Sequence, residues 1–149
     1  MASVEQRFQA LVELACCDSR VDPTAIFKIQ LGEATVLKNA GGRVTDDTFR
    51  SLGVVGSIST LGLIVVLHHT DCGGLFRTDE DIRKIWSDRN PEHAQEISTK
   101  AFGTYKDSGL EECLRQDVAK VRGWPLLPKD VPVVGYSYEV ETGRVTQVV

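Results

Sequence analysis

Apolar and polar positions fall into alternating blocks along the chain. Residues 10–17 form a short apolar run suited to a buried strand, and Asp22-Pro23 ends it and opens a helix to about residue 30. A second strand-like run covers 34–40 and stops at Gly41-Gly42. Thr45 then caps a helix whose first turn carries Asp46 and Asp47, with Phe49, Leu52, Val55 and Ile58 at helical spacing. Residues 61–68 are a nearly continuous Val/Ile/Leu run, the pattern of a strand covered on both faces. Strand, helix, strand, helix, strand predicts a parallel sheet.

Further along, 70–76 reads as a glycine-containing loop. Thr78 caps a helix over 79–88, and Pro91 opens another to near residue 100. Leu110, Leu114, Val118 and Val121 share one face of an amphipathic helix over 110–122, closed by Trp124-Pro125. The tail from Val131 alternates and turns at Glu141-Thr142-Gly143, which predicts a strand pair. Repeats and linkers are absent from the sequence. The expectation is one α/β domain over 1–149, with a mostly parallel central sheet flanked by helices.

Composition narrows the function classes. Of 149 residues 42% are hydrophobic and the net charge is −4, which suits a domain with its own core and excludes a disordered or fibrous chain. Basic residues are scattered singly, so no nucleic-acid footprint is expected. The longest apolar run, 61–67, is broken by Gly62 and falls far short of the roughly 20 residues that cross a bilayer. No membrane association is expected, and Glu5 and Glu13 interrupt what a signal peptide would keep apolar. The expected compartment is the cytoplasm, where Cys16, Cys17, Cys72 and Cys113 are free thiols or ligands.

Catalytic groups of open parallel sheets gather at the carboxyl ends of strands. Two such ends carry metal-type residues: Cys16-Cys17-Asp18-Ser19-Arg20 and His69-Thr70-Asp71-Cys72-Gly73. Period-two alternation sends Cys16, Asp18 and Arg20 to one side and Cys17 to the other. His69 and Cys72, three apart, reach one ion from a turn. Two thiolates and an imidazole make three zinc ligands with one position left, the pattern of a catalytic zinc holding water. Asp18 either fills that position or hydrogen-bonds the water.

These motifs resemble those of the β-class carbonic anhydrases, whose C-x-D-x-R is matched by Cys16 to Arg20 and whose H-x-x-C is matched by His69 to Cys72. Between them, Lys38-Asn39-Ala40-Gly41 is similar to the family's R-N-A-G strand end, and the resemblance covers nearly all the chain. It implies a zinc enzyme that hydrates CO2 to bicarbonate through a zinc-bound hydroxide, as a homodimer or a dimer-based higher oligomer. It also implies that Cys16, His69 and Cys72 bind Zn2+ and that Asp18 and Arg20 form the adjacent catalytic pair, Asp18 joining the metal in a resting state or turning to Arg20. The chain resembles a compact branch that includes carbonyl sulfide hydrolases, so COS is the alternative substrate. A lesser alternative is a non-catalytic zinc protein in which Asp18 closes the site. A disulfide-based redox module would need C-x-x-C, which is absent. Cys17, Cys113 and His68 are expected to be packing residues, His93 and Lys38 to be solvated, and Asn39 to order its strand end.

Overall fold

A computed structural model describes residues 9–149. The expectation drawn from Glu5 about the N-terminal segment lies outside them. Five strands, β1 (Gln9–Cys16), β2 (Ala34–Asn39), β3 (Thr60–His69), β4 (Val133–Tyr138) and β5 (Val145–Gln147), form one sheet in the order β2-β1-β3-β4-β5. The first four are mutually parallel, and β5 returns antiparallel on β4 as the predicted hairpin. Five α-helices connect them: α1 (Pro23–Phe27), α2 (Asp46–Ile58), α3 (Asp79–Arg89), α4 (Ala94–Ser98) and α5 (Leu110–Arg122). The fold class is the expected α/β, with a mostly parallel sheet.

Both faces of the central strands are covered. Val12 and Leu14 of β1, Ile64 and Val66 of β3 and Val133 of β4 pack with Leu52 of α2 and with Leu114, Val118 and Val121 of α5. On the other face Ala15 and Leu67 pack with Val21, Ile26 and Phe27. Burying this much aliphatic surface, at about 25 cal/mol per Å2, is the main force holding the layers together. Gly62 is the extra residue of a bulge, because Ala10 pairs with Leu61 while Leu11 pairs with Leu63. That one-residue shift resets which side chains of β3 face each layer, and the strand keeps its register with β1 as far as Ala15 opposite Leu67.

The helices begin where their caps stand. Thr78 Oγ accepts from the Asp81 amide at 3.1 Å while the Asp81 carboxylate accepts from the Thr78 amide at 2.9 Å, a reciprocal capping box that starts α3. Asp22 caps α1 by accepting from the Thr24 amide at 3.1 Å. The helix expected there to about residue 30 ends instead at Phe27, since Lys28 takes up a left-handed conformation with φ 57°. The helix expected from Pro91 to near 100 is a 3-10 turn, Pro91–His93, followed by the short α4.

Candidate metal centre

The register that aligns β1 with β3 brings their carboxyl ends together, and with them Cys16, His69 and Cys72. All three are buried, and one donor atom from each lies within 4.8 Å of the others. The two sulfurs are 3.8 Å apart. The Asp18 and Gly41 amides donate to Cys16 Sγ at 3.4 and 3.3 Å. With a Cys72 hydrogen bond as the largest influence, and these amides assisting, the Cys16 thiol is held well below its ordinary pKa; Cys72 is raised in turn because it keeps the shared proton beside that sulfur. A cation between them would release that proton, as metal binding to thiols does.

His69 supplies the clearest sign of a missing partner. Its Nδ1 lies 2.7 Å from the Thr70 carbonyl oxygen, an acceptor, so this nitrogen carries the proton and donates. The lone pair of Nε2 therefore points into the protein beside Cys16, and that buried atom makes no hydrogen bond of ordinary geometry. Soft sulfur and imidazole donors around an orphaned ring nitrogen fit a zinc-type ion.

Asp18 and Arg20 stand beside the three donors. Arg20 Nε and Nη2 donate to the two Asp18 oxygens at 3.0 and 2.8 Å, and the Arg20 amide donates to Oδ1 at 2.9 Å. These bonds hold the Asp18 carboxyl well below the usual carboxylate range. A second acid steadies the arginine: Nη1 donates to Asp71 Oδ2 at 2.7 Å and Nη2 to the Asp71 carbonyl at 3.0 Å. Asp71, in a left-handed conformation with φ 52°, was not singled out from the sequence.

A cavity of about 360 Å3 opens over this group. Cys16, Cys72 and Asp18 form its polar floor, and Ile82, Phe102 and Tyr105 its apolar wall. The wall comes from this chain's own α3 and from the 101–105 loop, which the Asp79 carboxylate grips by accepting from the Phe102, Gly103 and Thr104 amides at 2.8, 3.2 and 2.9 Å. Burial opposes charge on Asp79, yet these bonds and the Thr104 hydroxyl outweigh it and pull its pKa down to about 2. A larger hollow of about 520 Å3 beside β2 and the start of α2 has no sulfur or imidazole in its lining.

Two glycines make the site possible. Gly42 has φ 65°, and a Cβ there would lie 2.9 Å from backbone atoms of Ala15 and Cys16. A Cβ on Gly74 would meet the Tyr105 ring at 2.6 Å. The Tyr105 hydroxyl faces the Cys72 sulfur, buried and without a hydrogen bond of ordinary geometry.

Other expectations fare unevenly. Cys17 does not turn away to pack: β1 ends at Cys16, strand alternation ends with it, and Cys17 is exposed and lines the cavity. Cys113 and His68 are buried as expected. Lys38 is exposed but not simply solvated, because its Nζ donates to the Val21 carbonyl at 2.6 Å. Asn39 orders its strand end by accepting from the Arg43 amide and donating to the Arg43 carbonyl, at 2.7 and 2.8 Å. His93 is exposed.

Sequence reasoning missed the pair formed by half-buried Arg43 and buried Asp117. Arg43 Nε and Nη2 donate to the two Asp117 oxygens at 2.7 and 3.2 Å, and Nη1 donates to the Gly103 carbonyl. A signal was present, since Asp117 interrupts the apolar stripe of α5 between Leu114 and Val121.

Residues 11–145 match the family model described as carbonic anhydrase. The chain is 36% identical to a carbon disulfide hydrolase of Acidianus sp. (strain A1-3), over 88% of this chain and 73% of that protein. It is 34% identical to β-carbonic anhydrase 1 of Mycobacterium tuberculosis, over 91% of this chain and 79% of the relative. Among solved structures, the carbonic anhydrase of Streptococcus mutans superposes with a TM-score of 0.86 at 35% identity, over 98% of this chain and 84% of that one. The chain therefore belongs to the β-class carbonic anhydrase family, a family of enzymes whose near relatives include carbon disulfide hydrolases.

Proposed function

We propose that this chain hydrates CO2 to bicarbonate at a zinc ion held by Cys16, His69 and Cys72. The observation that carries the reading is the orphaned, buried Nε2 of His69 facing two sulfurs beneath a cavity, while both Asp18 oxygens are taken by Arg20. Three protein donors and an unclaimed fourth position are what a catalytic site offers, whereas a structural site closes with four. The Arg20 grip on Asp18 speaks against the non-catalytic alternative in which Asp18 closes the site. Bound there, zinc would supply a Lewis acid that makes a water molecule easier to ionise. Asp18, kept ionised by Arg20, would accept a hydrogen bond from that water and so orient it toward the cavity. Ile82, Phe102 and Tyr105 receive a small, linear, apolar substrate and exclude competing water.

A second reading is hydrolysis of COS to CO2 and hydrogen sulfide in the same cavity. The 36% identity to a carbon disulfide hydrolase favours it, and extends the sulfur substrates to be tested to carbon disulfide, which the sequence alone did not suggest.

The rest of the proposal concerns setting. Residues 1–149 act as one metal-binding domain. β2 is an edge strand with one side unpaired among the described residues, and it suits pairing with a second copy in a homodimer or a dimer-based assembly. Among the described residues no helix is long and apolar enough to cross a membrane. Four free thiols suit the reducing cytoplasm. The test is stopped-flow CO2 hydration beside hydrosulfide release from COS and carbon disulfide on one zinc-loaded preparation. CO2 hydration should dominate, and strong sulfide release with feeble hydration would reverse the order of the two readings.

A further inference from the structure

His68, Cys113 and Asp117 form a second cluster of metal-type residues, all fully buried, with donor atoms within 4.8 Å of one another. It is not a vacant metal site. Arg43 occupies both Asp117 oxygens, and Lys120 Nζ donates to Oδ1 at 3.1 Å, so the carboxylate already has its cations. Burial opposes charge on Asp117, yet its bonds to His68 and Arg43 outweigh that and hold it well below the ordinary carboxylate range. What remains to be explained is His68.

His68 precedes His69 in β3, so its ring lies on the opposite side of the strand. Its Nε2 is 3.2 Å from the Gly42 carbonyl oxygen and 3.4 Å from Asp117 Oδ2. Both neighbours accept, which makes Nε2 the protonated nitrogen and the donor. The ring is further fixed by Tyr105, stacked at 5.4 Å between centroids and tilted by 17°, and the Arg43 guanidinium lies 5.7 Å from the Tyr105 centroid. Gly42 closes the 3-10 turn Ala40–Gly42, where Gly41 and Gly42 both have positive φ. Within that turn the Gly41 amide donates to Cys16 Sγ at 3.3 Å. An unbroken set of contacts thus runs from α5 through Asp117, His68 and the Gly42 carbonyl to a hydrogen bond on a candidate ligand sulfur.

We infer that His68, held by Asp117, is a positioning residue that clamps the Gly41-Gly42 turn so that the Gly41 amide stays on Cys16 Sγ, and that this clamp sets metal affinity. Glycine at both positions leaves the turn many conformations, and a fixed carbonyl selects one of them. Groups that orient ligands from the next layer out typically govern affinity by about 10- to 100-fold. His68 itself does not line the cavity. The inference rests on the proposal that Cys16, His69 and Cys72 hold zinc.

The experiment measures the zinc dissociation constant by chelator competition on the full chain. His68→Leu, which removes the donor, should loosen zinc by about 10- to 100-fold. His68→Gln, which keeps an N-H donor at similar reach, should stay within about threefold of the native chain, well below that span. Leu52→Ala, a cavity in the core outside the clamp, should lower the melting temperature without loosening zinc. If His68→Leu does not fold, His68→Asn, too short to reach Gly42, replaces it and should show the same loss. Unchanged affinity in the donorless variant overturns the clamp, and so does an equal loss in Leu52→Ala. A native chain that binds no zinc contradicts the metal assignment and the clamp together.

Discussion

Glu13 sits in the middle of β1, 1% exposed, with Val36 of β2 and Val65 of β3 opposite it in the register. Its Oε2 is buried without a hydrogen-bond partner. Burial first, and the nearby charge of Asp22 second, push its pKa up from 4.5 to about 7. A carboxyl raised in the folded state binds its proton more tightly there than in the unfolded chain. Stability associated with it is therefore complete below about pH 4.5 and is lost as the pH rises to about 7. At about 1.4 kcal/mol per pH unit, the loss across that window is about 3 kcal/mol. Glu13→Gln removes the titration while keeping the shape. Urea unfolding of both chains, at one protein concentration from pH 4.5 to 8, should show the native chain losing about 3 kcal/mol relative to the variant. Parallel stability curves would refute the reasoning and mean that the Glu13 carboxylate finds a compensating partner.

Three further outcomes follow from the site and its supports. Cys72→Ser should abolish stoichiometric zinc, read by elemental analysis, because a hydroxyl replaces one of two soft donors; full zinc in the variant would contradict the ligand assignment. Gly42→Ala combines a left-handed backbone with contacts of 2.9 Å to the backbone of Ala15 and Cys16, and should cost about 3 kcal/mol in urea unfolding. Arg43→Met leaves Asp117 buried without its main counter-ion, so it should destabilise by about 3 to 5 kcal/mol, a loss that Asp117→Leu in the same chain should partly restore.

The parts of this protein that were legible in its sequence are those set by local pattern. β3 shows as a nearly continuous aliphatic run because both its faces are covered, and α3 shows because Thr78 and Asp81 cap each other within one turn. The candidate donors were legible because Cys16, His69 and Cys72 lie in or just after strand ends. Cys17 was misjudged because alternation was carried past Cys16, where the strand has already stopped. The Asp79 grip on the 101–105 loop and the Arg43–Asp117 pair join residues far apart in the chain, and only the packing of α3 and α5 brings them together. The apolar wall of the cavity, Ile82, Phe102 and Tyr105, is likewise assembled from residues distant in the chain from Cys16.

Titrating zinc into the metal-free protein while following CO2 hydration tests the central claim most directly. The account predicts activity that rises in proportion to bound zinc, breaks at about one ion per chain as a single site of two thiolates and one imidazole requires, and disappears on chelation. Stoichiometric zinc uptake with no turnover of CO2, COS or carbon disulfide, or hydration that survives complete removal of the metal, would contradict it.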